Sequence, residues 1–324
     1  MVCPERGCYH HAGISGLTAS VAYVQTLFNP FLHDDIPAII KNPDVQGKTT
    51  FIEIFRNDFW GNSILSSTSH KSYRPLTIAV FRLLHRCFGN WPVPYHATNI
   101  TLHALVTSLF TIFCQRSVFP HMANSSHVSL ICGILFALHP IHTEAVCCVV
   151  GCAELLAAFL FMTTSLMCSN FLSHSKESKP INKEAVESQN VDKITLGVGL
   201  RRRTKNNLDC KIKEPKILET ENDKPYLPNT CNIFIILLTS ALAVLCKESG
   251  LSVLGVVIVH ECVVQYESLQ TKKTSRLIWI IRCFTYVTWV FIVLIFRLWV
   301  MGWSQPIFAE PDNPAAHCDD RLTR

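Results

Sequence analysis

Seven long apolar segments restrict this chain to a fold built within a membrane. Runs of roughly 18 or more apolar residues are candidates for transmembrane helices. Of the 324 residues, 49% are hydrophobic and 16% are charged, whereas soluble domains have about 25% charged residues. The sequence therefore predicts an all-α, polytopic membrane protein. The predicted spans are 12–32, 97–115, 127–145, 152–172, 231–247, 249–266 and 277–301.

Basic residues between the spans predict their orientation. Segment 173–230 contains twelve Lys or Arg residues and nine Asp or Glu residues. The short segment 267–276 is also basic. Both are predicted to be cytosolic, because cytosolic loops of membrane proteins are enriched in Lys and Arg. Counting spans from these loops places the first loop on the opposite side. The predicted regions are a cytosolic N-terminus (1–11), a first bundle part (12–172) with a non-cytosolic loop (33–96), a disordered polar loop (173–230), a second bundle part (231–301) and a non-cytosolic tail (302–324).

Within the first loop, segment 76–88 combines apolar residues with Arg82, His85 and Arg86. This pattern predicts a short amphipathic helix that lies on the membrane surface and does not cross it. The predicted orientation depends on that interpretation.

Two adjacent carboxylates, Asp34 and Asp35, follow the first apolar segment. A hydroxyl nucleophile needs a carboxylate within hydrogen-bond reach to accept its proton. Two neighbouring acids can divide this work, one as the base and the other as an orienting group or cation ligand. A solvated helix end is the simpler interpretation, but the position at a membrane exit favours the catalytic one.

A second candidate is a run of cationic side chains, His70, Lys71 and Arg74. Such groups suit a phosphate, and Arg can bind one with two parallel hydrogen bonds. They would equally suit lipid headgroups. On the same predicted face, Lys247 and Glu248 separate two spans, either as a self-paired turn or with the lysine reaching the same phosphate.

A third candidate follows an apolar run and contains His139, His142 and Glu144 around Pro140. Ionisable groups near a membrane boundary are costly unless they serve a site or meet water. They predict either a polar wall of an active site or a simple helix end. No metal site is predicted, because the histidines lack a third ligand nearby and the fifteen cysteines include no Cys-x-x-Cys pair.

Several of these segments belong to a longer series of motifs that resembles the transmembrane and tetratricopeptide-repeat-containing protein family. The motifs follow one another in the family's order over about residues 20 to 316. They are Phe31–Asp35, Lys41–Asp44, Asn57–Gly61, Ser69–Leu76, Tyr95–Asn99, Leu102-His103, His139–Val146, Cys246–Gly250 and Asp312–Ala316.

The resemblance implies an endoplasmic reticulum membrane protein with a C-type glycosyltransferase fold, similar to protein O-mannosyltransferases. Such enzymes transfer mannose from dolichyl-phosphate mannose to Ser or Thr hydroxyls of secretory-pathway proteins, with cadherin-type domains as acceptors. The acidic pair of their first lumenal loop is catalytic and corresponds to Asp34 and Asp35. Cationic groups such as Arg74, Lys71 or Lys247 would steady the departing phosphate. The other expected site residues are His70, His139, His142, Glu144 and Glu248.

The same resemblance implies which other molecules take part. The lipid-linked donor is a substrate, so no cofactor, metal or nucleic-acid partner is expected. Two departures from the family pattern lead to an alternative function. The usual Gly-Arg-Ala-Asp/Glu sequence is replaced by Gly151-Cys152-Ala153-Glu154, and the chain is predicted to be truncated before the tetratricopeptide repeats. The alternative is an inactive family member that acts as a membrane scaffold or binding protein.

Overall fold

The chain folds into helices in the computed structural model, which describes residues 5–120, 122–174, 230–271 and 276–304. Within these ranges the strand-like structure is one isolated bridge, between Asn57 and Ser63. Helices satisfy their backbone groups internally, as a membrane interior requires. The all-α prediction is confirmed. The α-helices are α1 (Glu5–Tyr23), α2 (Pro75–Phe88), α3 (Pro92–Phe113), α4 (Ser125–Leu138), α5 (Thr143–Cys147), α6 (Cys152–His174), α7 (Thr230–Cys246), α8 (Val253–Thr271) and α9 (Arg276–Val300).

Three of the described helices are long and apolar enough to cross a membrane, and a bent pair gives a fourth. The three stretches are Pro92–Val118, Val149–Asn170 and Trp279–Val300. The bent pair, Ser125–Leu138 with Pro140–Cys147, turns by 46°, since a proline cannot continue the helical hydrogen bonds. These spans confirm the polytopic membrane class.

Each of the seven predicted spans corresponds to a described helix, but α1, α7 and α8 do not qualify as spans by length and composition. The apolar part of α7, Asn232–Cys246, is short. The first helix also lies earlier than the predicted 12–32, because α1 is followed by a 3-10 helix, Val24–Phe28, that ends before Pro30. The residue before a proline disfavours helical backbone angles. The polar loop predicted at 173–230 lies outside the described residues except at its ends, as does the tail beyond 304.

Small residues bring α1, α3 and α4 into close contact. A Cβ atom at Gly16 would lie 2.3 Å from the Ser108 hydroxyl oxygen, and one at Gly133 would lie 2.1 Å from the Thr111 hydroxyl oxygen. The hydroxyl oxygens of Ser15 and Thr111 are 2.7 Å apart. Close backbone approach through small and hydroxyl residues is a common mode of helix association in membranes. This contact packs the middle of α1 against α3 and α4.

The loop between α1 and α2 is folded around the buried Asp58 carboxylate. One of its oxygens accepts hydrogen bonds from the backbone N–H groups of Trp60 and Asn62, at 3.0 and 2.9 Å. The other accepts the Ser69 hydroxyl at 2.6 Å. This network sets the path of the chain into the cationic run. Two further short helices occur in the loop, a π-helix at Ile36–Ile40 and a 3-10 helix at Glu53–Phe55.

The amphipathic helix predicted at 76–88 is confirmed as α2. Its Thr77, Ile78 and Phe81 side chains are buried, while Leu83 and Arg86 are exposed. The buried face joins the loop to the bundle, because Phe81 belongs to an apolar core with Ile39, Phe59, Tyr95 and Val149. The location of α2 on a membrane surface stays a prediction.

The described inter-helix segments make contacts at both ends of the bundle. At one end Asp35 meets Val150 and Lys247 meets Glu154. At the other end Arg116 donates a hydrogen bond to the Tyr9 hydroxyl, and Ser126 contacts the His11 ring. Which end faces the organelle interior stays a prediction.

Candidate functional site

The two adjacent carboxylates have different environments. The chain turns at His33, whose φ is +43°, and Asp35 begins the π-helix Ile36–Ile40. Asp34 is exposed, whereas Asp35 is only 2% exposed. A turn followed by a helix thus directs one carboxylate outward and the other into the fold.

Backbone groups hold the Asp35 carboxylate. Its Oδ2 accepts a hydrogen bond from the Leu32 N–H at 3.2 Å, and its Oδ1 accepts one from the Val150 N–H at 3.0 Å. Burial raises the pKa of Asp35, although these hydrogen bonds and attraction to His96 oppose the shift. The Val150 contact ties the first loop to the turn before α6.

The Cys148 thiol lies among the acidic groups. Its pKa is raised by partial burial and by the nearby carboxylates of Asp35, Glu144 and Asp34. The structure therefore brings Glu144, from the third predicted segment, to the same region as the acidic pair. Asp34, Asp35 and Glu144 form the first of two charged clusters at this end of the bundle, and we call it the acidic region.

The two histidines of the third segment have local contacts. The N–H of Ile141 donates to His139 Nδ1 at 3.2 Å, which caps the short helix Pro140–His142. The His142 ring centroid lies 4.3 Å from that of Phe136 and 5.2 Å from that of His103. The bend predicted from Pro140 is confirmed. These contacts fit the helix-end interpretation for His139, and a binding role for either histidine stays a prediction.

A cationic region is built from three distant parts of the chain. Arg74 Nε donates to Glu248 Oε2 at 3.2 Å, and Arg297 donates to Glu248 Oε1 at 2.6 Å. The Arg74 guanidinium also lies 5.0 Å from the centre of the Phe59 ring, a favourable cation–π position. Burial alone would raise the pKa of Glu248, but Arg74 and Arg297 outweigh it and hold that pKa below its ordinary value.

Lys247 completes the cationic region by forming an ion pair with Glu154 at the start of α6. The self-paired turn predicted for Lys247 and Glu248 is therefore not formed. Lys247 pairs with α6, and Glu248 pairs with Arg74, just before α2, and with Arg297 in α9. Val150, which binds Asp35, and Glu154 are four residues apart. The acidic and cationic regions consequently flank the same short segment.

Lys71 lies apart from this arrangement. Its side chain is 5% exposed, and its Nζ donates to the carbonyl oxygens of Ile64 and Ser66 at 2.7 and 3.1 Å. Lys71 therefore stabilises the loop, and the structure does not bring it to Arg74 and Glu248. His70 is half-buried, with its ring centroid 6.1 Å from that of Trp60.

Sequence reasoning missed three residues of the site. The sequence offers a signal for Arg297, since it is one of two arginines in the mostly apolar predicted span 277–301. Glu154 and His96 lie within sequence motifs that predict no role for them. His96 is 1% exposed and lies close enough to Asp35 to interact with it electrostatically. Only tertiary contacts identify the partners of these residues.

Comparison with known proteins gives the following relatives. The chain is 29% identical to mouse (Mus musculus) protein O-mannosyl-transferase TMTC1, over 97% of this chain and 37% of that protein. It is 32% identical to protein O-mannosyl-transferase tmtc2 of Xenopus laevis, over 96% of this chain and 32% of that protein. Human protein O-mannosyl-transferase TMTC4 is 29% identical over 96% of this chain and 39% of that protein. No family model and no solved structure matches the sequence. The chain spans about a third of the length of these relatives.

Proposed function

Because the chain belongs to the transmembrane and tetratricopeptide-repeat-containing (TMTC) protein family, we propose that it is a protein O-mannosyltransferase. It takes mannose from dolichyl-phosphate mannose and transfers it to Ser or Thr hydroxyls of secretory-pathway proteins, including cadherin-type domains. The reaction occurs at the lumenal face of the endoplasmic reticulum membrane. One observation carries the proposal: the acidic and cationic regions flank one segment, Val149 to Glu154, at one end of the bundle.

The acidic region supplies the base. Asp34 is exposed, so its carboxylate is accessible to an acceptor hydroxyl. Asp35 already holds two backbone N–H groups and acts as the orienting group. The acceptor oxygen forms a bond to the anomeric carbon while its proton passes to Asp34. The bond between that carbon and the phosphate oxygen breaks, and its electron pair leaves with dolichyl phosphate.

The cationic region supplies charge stabilisation for the leaving phosphate. Arg74 and Arg297 share the single carboxylate of Glu248, which leaves one positive charge in excess. Arg297 Nη1 has no hydrogen-bond partner among the described residues. A guanidinium has five N–H donors in a planar array that suits phosphate. Lys247 is balanced by Glu154 and contributes only if that pair opens.

The membrane helices accommodate the lipid part of the donor. Only 11% of the stretch Trp279–Val300 is buried inside the bundle, so α9 presents a long apolar surface near Arg297. A polyprenyl chain lying along this surface would bring its phosphate to the end of the helix. Donor and acceptor thus approach from the membrane and from the lumen.

The test is mannose transfer by the purified chain in lipid nanodiscs. Radiolabelled dolichyl-phosphate mannose and an unmodified cadherin domain are supplied, and the wild type is compared with the double variant Asp34→Asn, Asp35→Asn. We expect label on Ser or Thr residues with the wild type and none with the variant. Equal labelling by both would contradict the assignment of the base. No labelling by the wild type, where a full-length relative labels the same domain, would contradict the activity.

A scaffold function is the second candidate, and one observation favours it. Cys152 occupies the position at which the family usually has Arg. Its side chain is 1% exposed and lies in the apolar core with Phe59 and Val149, so it adds no charge to either region. The Cys152→Arg variant separates the two candidates. Mannose transfer by this variant but not by the wild type would favour the scaffold.

A further inference from the structure

Asn99 is a fully buried asparagine of α3 that binds the turn before α6, Cys148–Gly151. Its Nδ2 donates to the Cys148 carbonyl oxygen at 2.8 Å and to those of Val146 and Val149, both at 3.4 Å. Carbonyl oxygens only accept hydrogen bonds, so the amide nitrogen and not the amide oxygen must face them. One side chain of α3 thus binds three backbone carbonyl groups at the end of α5 and in the turn.

The same turn binds the Asp35 carboxylate. The Val150 N–H donates to Asp35 Oδ1 at 3.0 Å, and this N–H belongs to the same peptide group as the Val149 carbonyl. A peptide group is planar, and its C=O and N–H point in opposite directions. The peptide group between Val149 and Val150 therefore has Asn99 on one side and Asp35 on the other.

The turn has little room to adjust. A Cβ atom at Gly151 would lie 2.2 Å from the Ala145 carbonyl oxygen, so a side chain there would displace the backbone. Val149 is fully buried in the apolar core. Packing thus fixes the path of the turn, while the hydrogen bonds from Asn99 fix the rotation of its peptide groups.

We propose that Asn99 is a positioning residue, which fixes the turn so that the Val150 N–H keeps the Asp35 carboxylate in place. The inference deepens the proposed function and rests on it, because Asp35 is the proposed orienting group for the base, Asp34. Asn99 acts only through Val150 and Asp35, since it is fully buried and its Nδ2 binds backbone carbonyl groups. Side chains from other parts of the chain hold the cationic region, so the effect is confined to the acidic region.

A kinetic experiment with Asn99→Leu tests the role. Leucine keeps the branched shape of the side chain but has no N–H to donate. We expect kcat for mannose transfer to fall by about tenfold, no more than is expected for Asp35→Asn, while KM for the lipid donor stays unchanged. The double variant Asn99→Leu, Asp35→Asn should be no slower than the slower single variant. An unchanged kcat, losses that multiply in the double variant, or a rise in donor KM without a fall in kcat would overturn the proposal.

Thr111→Val is the matched control. Thr111 lies on the same helix and is equally buried, and its hydroxyl donates to the Thr107 carbonyl oxygen at 2.9 Å and lies 2.7 Å from the Ser15 hydroxyl. The substitution removes buried hydrogen bonds of α3 without removing a contact to the turn. We expect lower stability but an unchanged kcat for the folded fraction. An equal fall in kcat would show that any weakening of α3 has this effect, and would overturn the proposal.

Hydrogen exchange gives a readout that does not depend on enzyme activity. The exchange of the Val150 and Gly151 N–H groups is followed by mass spectrometry on purified protein in lipid nanodiscs. We expect exchange about fivefold faster in Asn99→Leu than in the wild type, the effect of losing one hydrogen bond of ordinary strength, and no change in Thr111→Val. Equal exchange in Asn99→Leu and the wild type would overturn the proposal.

Asn99→Ala replaces Asn99→Leu in each experiment if the leucine variant does not yield folded protein. If the wild type transfers no mannose, the proposed function fails, and hydrogen exchange still decides whether Asn99 holds the turn.

Discussion

The acidic and cationic regions lie at the same end of the bundle but are held in different ways. Backbone N–H groups hold Asp35, and these donors cannot move away without unfolding the local chain. Side chains hold the cationic region, with Arg74 and Arg297 both bound to Glu248 over sequence separations of 174 and 49 residues. A side-chain ion pair can exchange its partner for a ligand. The contrast fits the proposed roles, in which Asp35 is a fixed orienting carboxylate and the cations are able to rearrange around a phosphate.

Substituting the two acids one at a time gives the largest expected effect on mannose transfer. Asp34→Asn removes the proposed base, so we expect mannose transfer to fall by about 10²–10⁴-fold, the usual contribution of general base catalysis. Asp35→Asn should cost only about tenfold, as expected for a change of one pKa unit in the base. Rates are compared at saturating donor with protein of matched folded content. Equal losses for the two variants would show that exposure does not distinguish their roles.

Arg297→Ala tests the cationic region. Charge-assisted hydrogen bonds contribute about 1.5–3 kcal/mol, so we expect KM for the lipid donor to rise by roughly 10–100-fold with a smaller change in kcat. Arg297→Lys is the control, since it keeps the charge but loses the planar array of donors. An unchanged donor KM in the alanine variant would remove Arg297 from the phosphate site.

Lys71→Met tests whether Lys71 stabilises the loop or binds the phosphate of the donor. The substitution leaves the carbonyl oxygens of Ile64 and Ser66 without their donor. We expect a loss of about 1–3 kcal/mol in the free energy of unfolding and an unchanged donor KM for the folded fraction. Chemical denaturation and steady-state kinetics measure the two quantities. A rise in donor KM at full stability would instead place Lys71 at the phosphate.

Acidification gives the smallest effect. The fold holds the pKa of Glu248 below its ordinary value of 4.5, so its ionised form is stabilised. Its contribution to stability is therefore complete above about pH 4.5 and is lost as pH falls through the lowered pKa. Partly exposed ion pairs contribute about 1 kcal/mol or less. Melting temperatures measured across this range should fall less steeply for Glu248→Gln than for the wild type, and parallel curves would contradict the assignment.

The apolar pattern of the sequence is sufficient to locate most helices. Tertiary contacts determine the features that this pattern does not predict. The span predicted at 277–301 matches α9, because a long and mostly apolar segment in a membrane forms a spanning helix. The first helical stretch lies earlier than the predicted span 12–32, because it ends before Pro30. Pro30, which ends that helical stretch, was visible in the sequence.

The candidate site was predictable in its acids but not in its ion pairs. Asp34 and Asp35 are adjacent in the sequence, and the resemblance identified them. The partner of Arg74 is 174 residues away, a pairing that no local pattern specifies. Lys71 has a φ of +57° and points into a loop whose path depends on buried Asp58, so its orientation could not be read from a basic run.

A single-turnover experiment tests most directly whether Asp34 acts in the transfer step and Arg297 acts in donor binding. Radiolabelled donor is bound to Asp34→Asn and, separately, to Arg297→Ala, and both donor binding and the transfer step are followed at saturating acceptor. The account predicts that Asp34→Asn binds donor normally but transfers mannose at least about 10²-fold more slowly, whereas Arg297→Ala binds donor weakly and transfers at a much less reduced rate once saturated. Loss of the same step in both variants would contradict it.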